Sequence, residues 1–170
     1  MTSAHLAQSW FEDAFREAKT ADVHARRREI VFAVCLAETY LFEWVRDEVV
    51  KGDVQGLNRY FVPGRFRRVE EKWKEIPKEL TADLSIAQAP NQGHANWGDF
   101  LDVVAFRHGL VHAGASRPHA GDLPEKERAI PTMQQLSGLP PGWALGVVVT
   151  LIRRLHDAVG TPAPAWLRDP

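Results

Sequence analysis

The sequence predicts an all-α protein, an antiparallel bundle of four or five helices. Three observations carry this reading. Apolar residues recur at steps of three and four along successive segments, capping residues and Gly or Pro bound those segments, and nothing offers a convincing partner for a β-strand. With 170 residues, 45% hydrophobic and 25% charged, the chain is expected to form one domain over 1–170. At that length roughly 70% of the unfolded surface can be buried without a covalent staple.

Each element has its own signal. Leu6, Trp10, Phe11, Ala14 and Ala18 follow Ser3, a residue suited to capping, and predict a first helix ending near Thr20. Asp22 is expected to cap the second and longest helix, about Ala25 to Lys51. Its stripe is Val31, Val34, Cys35, Glu38, Leu41, Phe42, Val45 and Val49, and Gly52 stops it. A short helical turn is expected around Asp53 to Tyr60, then a more polar helix over Arg65 to Glu75, between Gly64 and Pro77. Asn96 is expected to cap the next helix. Residues 113–142 are too rich in Gly and Pro for a long element, and a connection of that length is commonly functional or mobile. Trp143 to Val159 reads as the last helix, with Val147, Val148, Leu151, Ile152, Leu155 and Val159 inward and Arg153, Arg154 and Asp157 outward. The run Val147 to Thr150 favours a strand by propensity, but the helical period continues through it.

Composition sets limits on function. A formal net charge of -1 excludes bulk polycation behaviour, so nucleic-acid contact would need a local patch such as Arg26, Arg27 and Arg28 or Arg65, Arg67 and Arg68. These clusters are most often solvated faces. Beside a cleft they would track an RNA backbone, with Tyr60, Phe61 and Trp73 stacking bases or, more commonly, filling the core. The single cysteine, Cys35, lies in an apolar run and has no internal partner. Met1 to His5 lacks a signal-peptide layout, and no apolar run approaches the roughly 20 residues that span a bilayer. The expectation is a cytoplasmic protein with no membrane partner.

The segment Phe106 to Gly114 carries the most chemistry. Advancing about 100° per residue, Trp97, Phe100, Leu101, Val104 and Val111 share one arc, with Gly98, Asp99, Asp102 and Gly109 opposite. Arg107 and His108 fall inside the apolar arc and His112 borders it. Charge withdrawn from water needs compensation, so these side chains are expected to face a cleft, a subunit interface or a buried counter-charge. Glu38, the charge on the second helix's stripe, has two readings. It is a carboxylate hydrogen-bonded to a neighbouring helix, or it is the counter-charge that fixes Arg107.

Arg107-His108-Gly109-Leu110-Val111-His112 resembles the Arg, four to six residues, His motif of the HEPN superfamily, in which a polar residue usually follows the Arg. The small residues Ala113 and Gly114 after the histidine fit, as does a late helix of a bundle. The resemblance is tight over the motif and covers the rest of the chain only as a pattern of helices. It implies a HEPN-like homodimer with two motifs lining one cleft, often a metal-independent endoribonuclease that needs no cofactor. It also implies the roles: His112 moves the proton, Arg107 holds the phosphate, and His108 orients it or carries the second proton. RNA would be the substrate, with a toxin or defence setting and an antitoxin or paired regulatory protein as partner. The family also includes members that only bind RNA, nucleotides or proteins, so a non-catalytic binding module is the alternative. A rival chemistry is a helical zinc site from His108 and His112 with His119 or His94 as third ligand. It lacks the glutamate of a His-Glu-x-x-His arrangement.

Overall fold

The computed structural model describes residues 6–62, 64, 68–83, 95–112 and 133–170, with backbone alone at 81–83, 95, 112 and 133. The expected Ser3 cap, Arg65 and Arg67, the loop histidines His94 and His119, and residues 113–132 lie outside the described residues. Among those described, all regular structure is helical: α1 (Leu6–Ala18), α2 (Val23–Trp44), a π-helical turn (Val45–Val49), α3 (Val54–Tyr60), α4 (Val69–Asp83), α5 (Ala95–His112), α6 (Met133–Gly138) and α7 (Trp143–Val159). Five are long, as the periodicity predicts, α3 is the short turn expected around Asp53 to Tyr60, and α6 is a short addition. No helix among the described residues is long and apolar enough to cross a membrane.

The cap at Asp22 forms as expected, and Asp53 caps the short helix that begins after it. Asp22 accepts the amide of Ala25 at 3.2 Å and Asp53 those of Gln55 and Gly56, both at 3.1 Å. Asn96 does something else. It lies inside the first turn of α5, and its Nδ2 donates to the Val147 carbonyl of α7 at 3.2 Å. Nor does Pro77 end a helix: α4 begins at Val69 and runs through it to Asp83. A proline in a helix interior costs about 3 kcal/mol or more, while full burial of Ile76 and Leu80 together returns roughly 3–6 kcal/mol. Packing therefore overrides the break.

The centre of the bundle is α2, which packs against α1, α4, α5, α6 and α7. Its buried residues run around the helix rather than along one stripe: Ile30, Ala33, Val34, Leu36, Ala37, Tyr40, Leu41 and Trp44. Two glutamates of this helix stitch the bundle together. Glu43 accepts the amides of Leu6 and Ala7 at 2.9 and 3.3 Å, capping the free N-terminal donors of α1. Glu29 accepts those of Gly142 and Leu145, both at 3.2 Å, at the start of α7. Glu29 also pairs with Arg26, whose guanidinium donates in addition to the Thr20 carbonyl. Burial pushes the Glu29 carboxyl above its ordinary range, although the amides of Leu145 and Gly142 and the charge of Arg26 oppose this.

These links also fix direction. The end of α2 meets the start of α1, so those two helices are antiparallel. Glu29 meets the start of α7 and Tyr40 meets His156 near its end, so α2 and α7 run the same way. Beyond α7, Trp166 tilts against Phe11 with ring centres 5.4 Å apart, and Arg168 lies 4.2 Å over the Phe15 ring while pairing with Glu12 at 2.9 Å.

Candidate functional site

The inward face of α5 carries Phe100 and Val103, both fully buried, and the same face continues through Arg107 and Leu110. Arg107 thereby occupies a core position by register. It and His108 are half-buried, as the apolar arc predicts. Gly98, Asp99 and Asp102 point to solvent, also as predicted. The last turn departs from the pattern: Gly109 is buried and Val111 is 47% exposed. Residue hydropathy alone does not register that a glycine lets a helix backbone lie close to its neighbours.

Arg107 is coupled to α2 through its charge. Its Nε is buried and has no hydrogen-bond partner among the described residues. Its charge reaches the half-buried Cys35 thiol, whose pKa is raised mainly by burial, pulled back by Arg107 and pushed up by Glu38. One neighbourhood on the α2–α5 contact therefore holds Cys35 within electrostatic reach of both Arg107 and Glu38. Glu38 itself pairs with Lys72 of α4, and its side chain is 47% exposed. The neighbouring-helix reading of Glu38 matches this bond. Next to it, the Trp73 indole donates to the Ala37 carbonyl at 3.0 Å and ties α4 to α2.

His112 ends α5 and is described by its backbone alone. Of the residues considered for stacking bases, Trp73 and Tyr60 are buried in the core, and Phe61 packs edge-on against Phe42 at 5.0 Å. In the first basic cluster Arg26 is buried against Glu29, whereas Arg27 and Arg28 face solvent and Arg28 pairs with Glu17 at 2.8 Å.

A second constellation escapes the sequence reading. Tyr40 Oη and His156 Nε2 are hydrogen-bonded in the core, and His156 Nδ1 lies 2.9 Å from Thr161 Oγ1. Burial lowers the His156 pKa and raises that of Tyr40, so at neutral pH the pair is an uncharged imidazole against an intact phenol. They border a cleft of about 410 Å³ between the end of α2, the π-helical turn, α7 and the segment after it. His156 follows Leu155 in a regular stripe, and Tyr40 lies 116 residues away; no local pattern links them.

Comparison of the chain with protein-family models, with curated proteins and with solved structures gave no match.

Proposed function

We propose that the chain is a metal-independent endoribonuclease of the HEPN kind that acts as a two-fold dimer. The observation that carries the proposal is Arg107: a guanidinium nitrogen buried without an acceptor among the described residues, on an inward helix face, five residues before His112. A buried donor of this kind calls for an anion. Two further features support a second copy. Arg107 and His112 lie about 140° apart around the helix, so one helix does not readily aim both at one phosphate, whereas two facing helices do. Val111, beside His112, leaves apolar surface at the motif end that a partner would cover.

In the proposed reaction His112 takes the proton of a ribose 2′-hydroxyl. The O2′–phosphorus bond forms as the phosphorus–O5′ bond breaks, and the leaving O5′ takes up a proton from a histidine. The products are a 2′,3′-cyclic phosphate and a 5′-hydroxyl. An imidazole of pKa near about 6.5 suits the proton transfer, and the arginine holds the charge that grows on the phosphate. His108 lies one turn before His112 and would orient the phosphate or carry the second proton.

The test is incubation of the purified chain with single-stranded and structured RNA in EDTA, with analysis of product ends. Cleavage that persists in the chelator and leaves cyclic phosphate supports the proposal. Chelator-sensitive cleavage overturns it in favour of a metal site. RNA binding without cleavage assigns the chain to the binding modules instead.

A further inference from the structure

The cleft at the far end of α2 has a composition of its own. One wall is the end of α2 and the π-helical turn, contributing Tyr40, Glu43, Trp44, Asp47 and Glu48; the other carries His156 and Trp166, with Thr161 and two prolines at its edge. A volume of about 410 Å³ falls within the range of small-molecule sites, roughly 300–1,000 Å³.

Its aromatic rings are set at angles rather than stacked. Tyr40 and Trp166 cross at 70° with centres 6.0 Å apart, Trp44 and His156 at 72° and 6.1 Å, and Tyr40 and His156 at 59° and 6.0 Å. Rings crossed in this way pack edge against face, so Tyr40 and Trp44, only 5% and 6% exposed, offer the cleft their margins, while Trp166 is half-buried and offers more. The electron-rich face of Trp or Tyr attracts a cation, and cages of such faces are a recurrent solution for ammonium groups.

The charges agree with the rings. Among the described residues, the lining includes three carboxylates and no lysine or arginine. Its one further ionisable base, His156, is held neutral by burial. Glu43 is nine-tenths buried and directed to the amides of Leu6 and Ala7. Asp47 is bonded by Arg46 at 2.6 and 2.8 Å. Glu48 meets Lys51 at 3.4 Å with both side chains more than half exposed, a contact that an incoming cation can displace at little cost. The π-helical turn bears on this directly. One extra residue in the turn shifts Asp47 and Glu48 around the axis relative to a continuous α-helix, and such turns recur at functional sites.

We propose that this cleft binds a small organic cation of the quaternary or alkyl ammonium class, with its head group against Trp166 and the exposed margins of Tyr40 and Trp44 and its charge facing Asp47 and Glu48. An anion is opposed by the carboxylates, and a neutral ligand gains nothing from them. The site stands apart from the motif on α5 and does not depend on the ribonuclease reading.

The experiment compares choline with its uncharged carbon analogue, 3,3-dimethylbutan-1-ol, on the full chain, by calorimetry and by indole NMR signals. The expected result is saturable binding of choline, about tenfold or more tighter than the analogue and weakened by added salt. The double variant Asp47→Asn, Glu48→Gln replaces surface groups, so its helical circular dichroism should be intact and its choline affinity should fall by a similar factor. Equal binding of the two probes would overturn the cation assignment, leaving an apolar cleft. No saturable binding of choline or of butylammonium would overturn the site, and undiminished choline affinity in a folded double variant would remove the carboxylates from it.

Discussion

Glu29 Oε1 accepts the amide hydrogen of Leu145 at 3.2 Å across 116 residues of sequence, so a carboxylate near the start of α2 caps a helix near the other end of the chain. The same carboxylate holds Gly142 and the buried Arg26. Removing it in Glu29→Ala leaves two helix-terminal donors and a guanidinium without their acceptor. The expected loss is about 3–5 kcal/mol, measured by urea unfolding. A loss below about 1 kcal/mol, the net worth of an ordinary hydrogen bond, would show that water satisfies these groups equally well.

His156 makes stability depend on pH. Its folded pKa lies below the ordinary value of 6.5, so between those two values the unfolded chain binds more protons. The stability it contributes is complete above pH 6.5 and is lost as the pH falls toward the folded pKa. Glu29 acts in the opposite sense from pH 4.5 upward, because burial raises its folded pKa above that value and acidification relieves the cost of its buried charge. Thermal melts at pH 7.5, 6.5 and 5.5 should therefore show a drop for the wild type that is smaller in His156→Gln. Parallel curves for the two proteins would disprove the linkage.

Gly142 has φ of 79°, and a Cβ built on it would stand 2.8 Å from the Cβ of Pro170. Gly142→Ala should cost roughly 1–2 kcal/mol from the left-handed backbone alone, and more from the clash. Pro170→Gly in the same background should recover the steric part and leave the backbone part. If the second substitution recovers nothing, the clash is absorbed by movement of the segment after α7.

For the proposed cleavage chemistry, Arg107→Lys keeps a cation but loses the planar fork. RNA cleavage is expected to fall by about 100-fold or more, the typical cost of removing one donor to a developing anion. His112→Ala should abolish cleavage while its circular dichroism stays close to that of the wild type. Full activity in either folded variant would take that residue out of the mechanism.

The elements that announce themselves locally were legible. The final helix follows its stripe from Trp143 to Val159, and Asp22 and Asp53 cap where a short acceptor ahead of an apolar period should. What sequence reading missed depends on distant partners. A stripe at three and four describes a helix with one buried face, but α2 is packed on several sides. Glu38 therefore stood out as an exception although it is half-exposed, while Arg26, expected on a solvated face, is buried, and the buried Glu29 and Glu43 drew no notice because they lie off that stripe. Pro77 read as a stop because a proline's local cost is visible in sequence and the burial of Ile76 and Leu80 is not. In the candidate site, the half-burial of Arg107 and His108 follows from their place on the arc of α5. The neighbourhood of Cys35, Arg107 and Glu38 joins two helices far apart in the chain; the charge on the α2 stripe pointed to Glu38 beside Arg107, and nothing local pointed to Cys35.

The two buried glutamates of α2 also imply an order of assembly. The bonds of Glu43 to Leu6 and Ala7 close loops of 37 and 36 residues, whereas those of Glu29 to Gly142 and Leu145 span 113 and 116. The short loops cost less entropy to close and are complete early in synthesis. A nascent chain can thus form its N-terminal helical pair while Arg26 and Glu29 are still wet, and the arrival of α7 dehydrates them and seals the bundle. Pulse-labelled hydrogen exchange during refolding should find amides of α1 and α2 protected before those at the start of α7.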